Sequence, residues 1–116
     1  MSALGFKRGV FAAACVAVVV LSLVPGEAIP KPFQFWDKAQ HALGFAGLAV
    51  LAAWARVSAR AWRWGLGLLV LGAAIEVAQS FVPWRFGDVA DWLADAVGVG
   101  LVLLALRFRP PRPTAA

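Results

Sequence analysis

Residues 64–82 read WGLGLLVLGAAIEVAQSFV, nineteen positions that are apolar except for Glu76, Gln79 and Ser80. As a helix rising about 1.5 Å per residue, this run is nearly as long as the hydrocarbon core of a bilayer is thick, roughly 30 Å. Glu76 lies about two turns inside it. A carboxylate at that depth is costly in lipid and marks a candidate functional position.

Three further runs of similar character flank this one: residues 9–24, 39–55 and 92–106. Each is slightly shorter than the roughly twenty residues a spanning helix needs, a deficit that tilt, local thinning and interfacial aromatics cover. The pattern predicts an all-α membrane protein with four transmembrane helices in an antiparallel bundle. Residues 1–108 form a single membrane domain and residues 109–116 a flexible, Pro-rich tail. The composition agrees, with 62% hydrophobic residues in a chain of 116 and a mean hydropathy of +0.79. A soluble domain of this size has no core large enough to hide so much apolar surface.

The net charge of +5 does not point to nucleic acid, because the basic residues sit at helix ends rather than among stacking aromatics. With a cytoplasmic amino terminus, Lys7, Arg8, Arg56, Arg60, Arg63, Arg107, Arg109 and Arg112 fall inside, against Lys31, Lys38 and Arg85 outside. That bias places both termini of a multi-pass membrane protein in the cytoplasm. Phe35, Trp36, Phe81, Trp84 and Trp92 are expected at the outer interface, and Trp54, Trp62, Trp64 and Phe108 at the inner one. Lys7-Arg8, the apolar run after them and Gly26-Glu27-Ala28 also loosely fit a cleaved signal peptide. Pro25-Gly26 serves equally well as the end of a retained helix, which is the reading adopted. Cys15, the only cysteine, permits no intramolecular disulfide and reads as a packing residue.

Residues able to do chemistry are gathered in the outer half: Asp37, Lys38, His41, Glu76, Gln79, Ser80, Arg85, Asp88, Asp91 and Asp95. Helical spacing puts Asp37, Lys38 and His41 on adjoining parts of one face, Gly72, Glu76, Gln79, Ser80 and Pro83 on a second and, with the fourth helix starting as early as Asp88, Asp88, Asp91, Asp95 and Gly98 on a third. Small residues at Gly44, Gly47, Gly72, Ala94 and Gly98 allow the backbones to approach until these stripes meet in one outer cavity.

Three motifs, Trp36-Asp37-Lys38-x-x-His41-x-x-x-Phe45, Gly72-x-x-x-Glu76-x-x-Gln79-x-Phe81-x-Pro83-x-Arg85 and Asp91-x-x-Ala94-Asp95-x-x-Gly98, together resemble the VanZ-like family over residues 36–98. The chain departs from that pattern at Asp95, where many members carry Asn, and at Val102, where many carry Gly. The resemblance implies a small polytopic protein of the bacterial inner membrane, the family's namesake being associated with resistance to the glycopeptide teicoplanin.

Three kinds of function fit. As a binding protein, the chain would hold a cell-envelope lipid or a peptide-like cell-wall precursor, with Lys38 and Arg85 for anions and carboxylates for amines. Asp37, Gln79, Asp88, Asp91 and Asp95 complete that binding set. As an enzyme acting on a lipid head group, it would use Glu76 and His41 as acid and base, with a divalent cation as a possible cofactor on Asp88, Asp91 and Asp95. As a structural protein, it would use Glu76 as interhelical glue and Asp88 and Asp91 as helix caps. No nucleophile motif, zinc-type His pair or phosphate-cradling glycine loop is present.

Overall fold

The computed structural model describes residues 2–25, 37–83 and 87–109. These contain four helices: α1 (Ala3–Leu23), α2 (Asp37–Trp54), α3 (Ala61–Gln79) and α4 (Val89–Arg107). Two begin at side-chain caps. Ser2 Oγ accepts the Gly5 N–H at 2.9 Å, and Asp88 Oδ1 accepts the Ala90 N–H at 2.9 Å, each satisfying a donor that the first turn leaves open.

The helices extend beyond the apolar runs at most ends, because charged residues such as Lys7, Arg8, Lys38 and Arg63 are themselves helical. The carboxyl-terminal ends of α1 and α2 stop one residue short of their runs, and α3 stops at Gln79 rather than residue 82. There Ser80 Oγ donates to the Val77 carbonyl at 2.5 Å, the Phe81 and Val82 N–H groups tighten onto Ala78 and Gln79, and Pro83 forbids continuation. Glu76 therefore stands in the last turn of α3, about 4.5 Å of rise from its end rather than twice that.

The helices alternate in direction, so α1 and α3 run one way and α2 and α4 the other. The tightest pairing is not between α2 and its sequence neighbour α3 but between the parallel helices α2 and α4. Gly98 is the reason: its Cα lies so near the Ala42 carbonyl and the Ala46 amide that a Cβ would collide with backbone. Gly44 and Gly47, expected to admit a neighbour, face open space. α2 instead approaches α4 on its alanine face, where Ala49 and Ala52 are fully buried. The core collects Phe45, Leu48, Trp64, Leu68, Ile75 and Val99 around this seam.

α1 has no buried residue of its own and rests on the core through Phe11, Ala14, Cys15, Val18 and Val19, so Cys15 packs as expected. Its ends are clasped. Gln79 Nε2 donates to the Ser22 carbonyl at 2.8 Å, and Arg8 Nη2 to the Arg56 carbonyl at 2.9 Å, while the Lys7 ammonium lies 5.2 Å from the centre of a Trp54 ring. Trp64 and Trp92 are not belt residues: Trp64 is in the core, and Trp92 Nε1 donates to the Leu69 carbonyl at 2.9 Å, binding α4 to α3.

Three helices, α1, α3 and α4, are long and apolar enough to cross a membrane. α2 falls short of that description because Asp37, Lys38, Gln40 and His41 crowd its start. Large apolar side chains cover the outside of the bundle, among them Leu43, Val70, Val97 and Leu101, each more than half exposed. A surface of this kind suits contact with lipid. Trp36, Trp84, Arg85 and residues 110–116 lie outside the described residues.

Gly98→Ala is expected to destabilise the bundle by about 3 kcal/mol, since rigid backbone cannot yield to a new methyl group. Gly100→Ala, whose Cβ meets nothing, should be neutral or mildly stabilising. Thermal unfolding of the two variants in detergent checks both.

Candidate functional site

The end of the bundle where α2 and α4 begin and α3 finishes holds four carboxylates and two basic groups among the described side chains. Lys38 and His41 come from α2, Glu76 from α3, and Asp88, Asp91 and Asp95 from the start of α4. Both α2 and α4 present their amino-terminal ends here, and the positive end of a helix dipole favours acidic groups. Gly72 of α3 adds a flat surface, where a Cβ would stand 2.9 Å from Asp95 Oδ2 and 3.5 Å from Phe45 Cε1.

At the centre, His41 Nδ1 donates to Asp95 Oδ1 at 3.0 Å, while His41 Nε2 lies 3.9 Å from Asp91 Oδ2. Asp95 is fully buried, so the imidazole is oriented by a carboxylate that solvent does not reach, an arrangement that fixes both ring tilt and tautomer. Glu76 Oε2 accepts the Asp88 N–H at 2.7 Å, tying the end of α3 to the cap of α4. Its other oxygen, Oε1, is buried and has no hydrogen-bond partner among the described residues. One ligand atom from each of His41, Glu76 and Asp95 falls within 4.8 Å of the others. One nitrogen and two hard oxygens at such separations suit a divalent cation or an ammonium group.

Farther out, Lys38 Nζ reaches Asp91 Oδ1 at 3.3 Å and Asp88 Oδ2 at 3.5 Å. Lys38 is thereby committed to neutralising acids rather than held open for an anion. The Asp88 carboxyl is lowered from its ordinary range chiefly by the Ala90 N–H it accepts, and also by the Lys38 ammonium.

Of the residues singled out from the sequence, Lys38, His41, Glu76, Asp88, Asp91 and Asp95 meet in this cluster. Gln79 does not: it is buried on the α1 side and serves as the clasp on Ser22. Ser80 is spent on its own helix end. Arg85 and the side chain of Asp37 lie outside the described residues. The donor that holds Glu76, the backbone N–H of Asp88, left no trace in residue types, because any residue but proline supplies one.

Comparison with protein-family models, curated proteins and solved structures found no match to this chain.

Because the folded-state pKa of Asp88 is depressed, its stabilising effect is present above the unfolded carboxylate range, near pH 4, and is lost as pH falls through the folded value. Asp88→Ala should lower the unfolding midpoint at pH 7, and the deficit should shrink on acidification below about pH 4. Asp88→Ser, which keeps a cap acceptor, should recover much of the loss at pH 7. Parallel wild-type and Asp88→Ala curves across that pH range would sink this linkage.

Proposed function

We propose that this chain is a four-span, VanZ-like protein of the bacterial inner membrane, with both termini cytoplasmic. In this reading, its outer polar cluster binds the cationic part of a cell-envelope lipid or peptide-like ligand. The observation that carries the reading is the convergence of His41, Glu76 and Asp95 from three helices within 4.8 Å, in a bundle whose outside is apolar. Four carboxylates against Lys38 and His41 leave the cluster acidic, which favours an ammonium group or a divalent cation over a phosphate. The motif resemblance supplies the envelope context and extends the reading to teicoplanin susceptibility.

The fourth span is supported by where α2 sits. It touches α1, α3 and α4, so its polar first turns meet protein, while Leu43, Val50 and Trp54 form an exposed apolar stripe. In a Cys15→Ser background, a cysteine at Ser58 should be labelled only from the cytoplasmic side, and one at Pro83 only from outside. Labelling of both from one side would rule out four spans.

The binding reading predicts that phosphatidylethanolamine or Mn²⁺ raises the unfolding midpoint of the detergent-solubilised chain, while phosphatidylcholine does not. Glu76→Gln and Asp95→Asn should weaken that response about tenfold, the expected cost of one charge-assisted contact. Unchanged midpoints for the wild type with either probe would refute it.

The oriented His41–Asp95 pair favours a second reading, acid–base chemistry on a lipid head group with Glu76 as the partner group. A head-group change in the membrane lipids of cells making the wild type, absent with Glu76→Gln at matched levels, is the outcome this reading requires. Identical lipid profiles would exclude it.

A further inference from the structure

The opposite end of the bundle is charged in the other sense. A cavity of about 660 Å³ opens there between the end of α2, the start of α3 and the end of α4, lined by Arg56, Ser58, Trp64, Leu103, Arg107 and Arg109 among others. The carboxylates of Glu76, Asp88, Asp91 and Asp95 all stand at the far end, so no described acid can reach these guanidinium groups. Arg107 is in the last turn of α4, where a cation suits the negative helix end. That accounts for one arginine, not three around a hollow.

Arg56 carries a second, independent mark. The Val57 N–H returns to the Ala52 carbonyl and the Arg56 N–H to Ala53, a helix-ending motif whose left-handed position is ordinarily glycine. Here Arg56 occupies it, with φ at 47°, a conformation that disfavours any side chain with a Cβ. Strain kept at a non-glycine residue is a pointer to a role for its side chain. The first turn of α3 adds to the field, since its amino-terminal cap, Arg60, makes no side-chain hydrogen bond to it, leaving N–H groups and a positive helix end beside the cavity.

We infer that this cavity binds a phosphate group, held by Arg56, Arg107 and Arg109, with an anionic membrane lipid as its source. Guanidinium forks match phosphate oxygens in pairs. The cavity also lies at the ends of helices about 28 Å long, where lipid phosphates are found, and Trp64 and Leu103 provide an apolar wall beside the charges for the adjoining glycerol and upper acyl carbons. This site is independent of the acidic cluster.

The test uses the full chain in neutral detergent, titrated separately with phosphatidylglycerol, phosphatidylcholine and inorganic phosphate while the unfolding midpoint is read. Phosphatidylglycerol should raise the midpoint and phosphatidylcholine should not. Arg56→Gly and Arg107→Gln should each weaken the response about tenfold. Without ligand, Arg56→Gly should unfold at or above the wild-type temperature, because glycine relieves the turn, so a lost response cannot be blamed on misfolding. A shift produced by inorganic phosphate to the same extent, and lost in both variants, would support the site and assign it to the free anion. Equal shifts with the two lipids, or wild-type responses from both variants, would overturn the proposal.

Discussion

The close passage of Gly98 over the Ala42 carbonyl is the constraint on which the rest of the molecule depends. It lets two parallel helices, separated in sequence by a third, lie in backbone contact. Parallel neighbours have their dipoles aligned, which is unfavourable unless the ends are compensated. Compensation is what the sequence provides: Asp88 and Asp91 where α4 begins, Lys38 binding them to the start of α2, and Arg56 and Arg107 where the two helices finish. The same contact brings His41 over Asp95. A bulkier residue at position 98 would therefore separate the two halves of the polar cluster as well as open the core.

Burial decides how the polar groups divide between structure and chemistry. Gln79, Ser80 and Trp92 each satisfy a backbone carbonyl and hold a helix in place. His41 and Asp95 hold each other, and Glu76 is held by the Asp88 N–H, in a way that leaves ligand-type atoms converging. A buried carboxylate beside an imidazole is tolerable in a membrane bundle only because the two are paired, since removing one partner leaves the other uncompensated.

The four apolar runs were enough to reveal the helices, and the clustering of Lys38, His41, Glu76, Asp88, Asp91 and Asp95 at one end was legible from helical spacing and from the small residues that allow close approach. Less legible was which helices pair most closely, because nothing in the composition of α2 distinguishes its alanine face from Gly44 and Gly47. Gln79 shared a helical stripe with Glu76 yet turned to α1, since a long amide side chain at a helix end reaches whichever carbonyl is nearest. Glu76 lies nearer the end of its helix than the apolar run implies, because α3 is capped by Ser80 within that run and Pro83 bars continuation just beyond it. Trp64 and Trp92 looked like interfacial anchors for the same reason: residue type and approximate depth do not say which way a ring turns.

Among the described residues, the gathering of Glu76, Asp88, Asp91 and Asp95 at one end and of Arg56, Arg107 and Arg109 at the other makes the bundle electrically polar along its length. In an energised membrane, carrying one unit charge across 100 mV is worth about 2.3 kcal/mol. Voltage therefore distinguishes the two ways this bundle can face, favouring the one with its guanidinium groups on the negative side. For the spanning orientation proposed above, a membrane potential negative on the guanidinium side would be a standing stabiliser, its strength rising and falling with the energy state of the membrane.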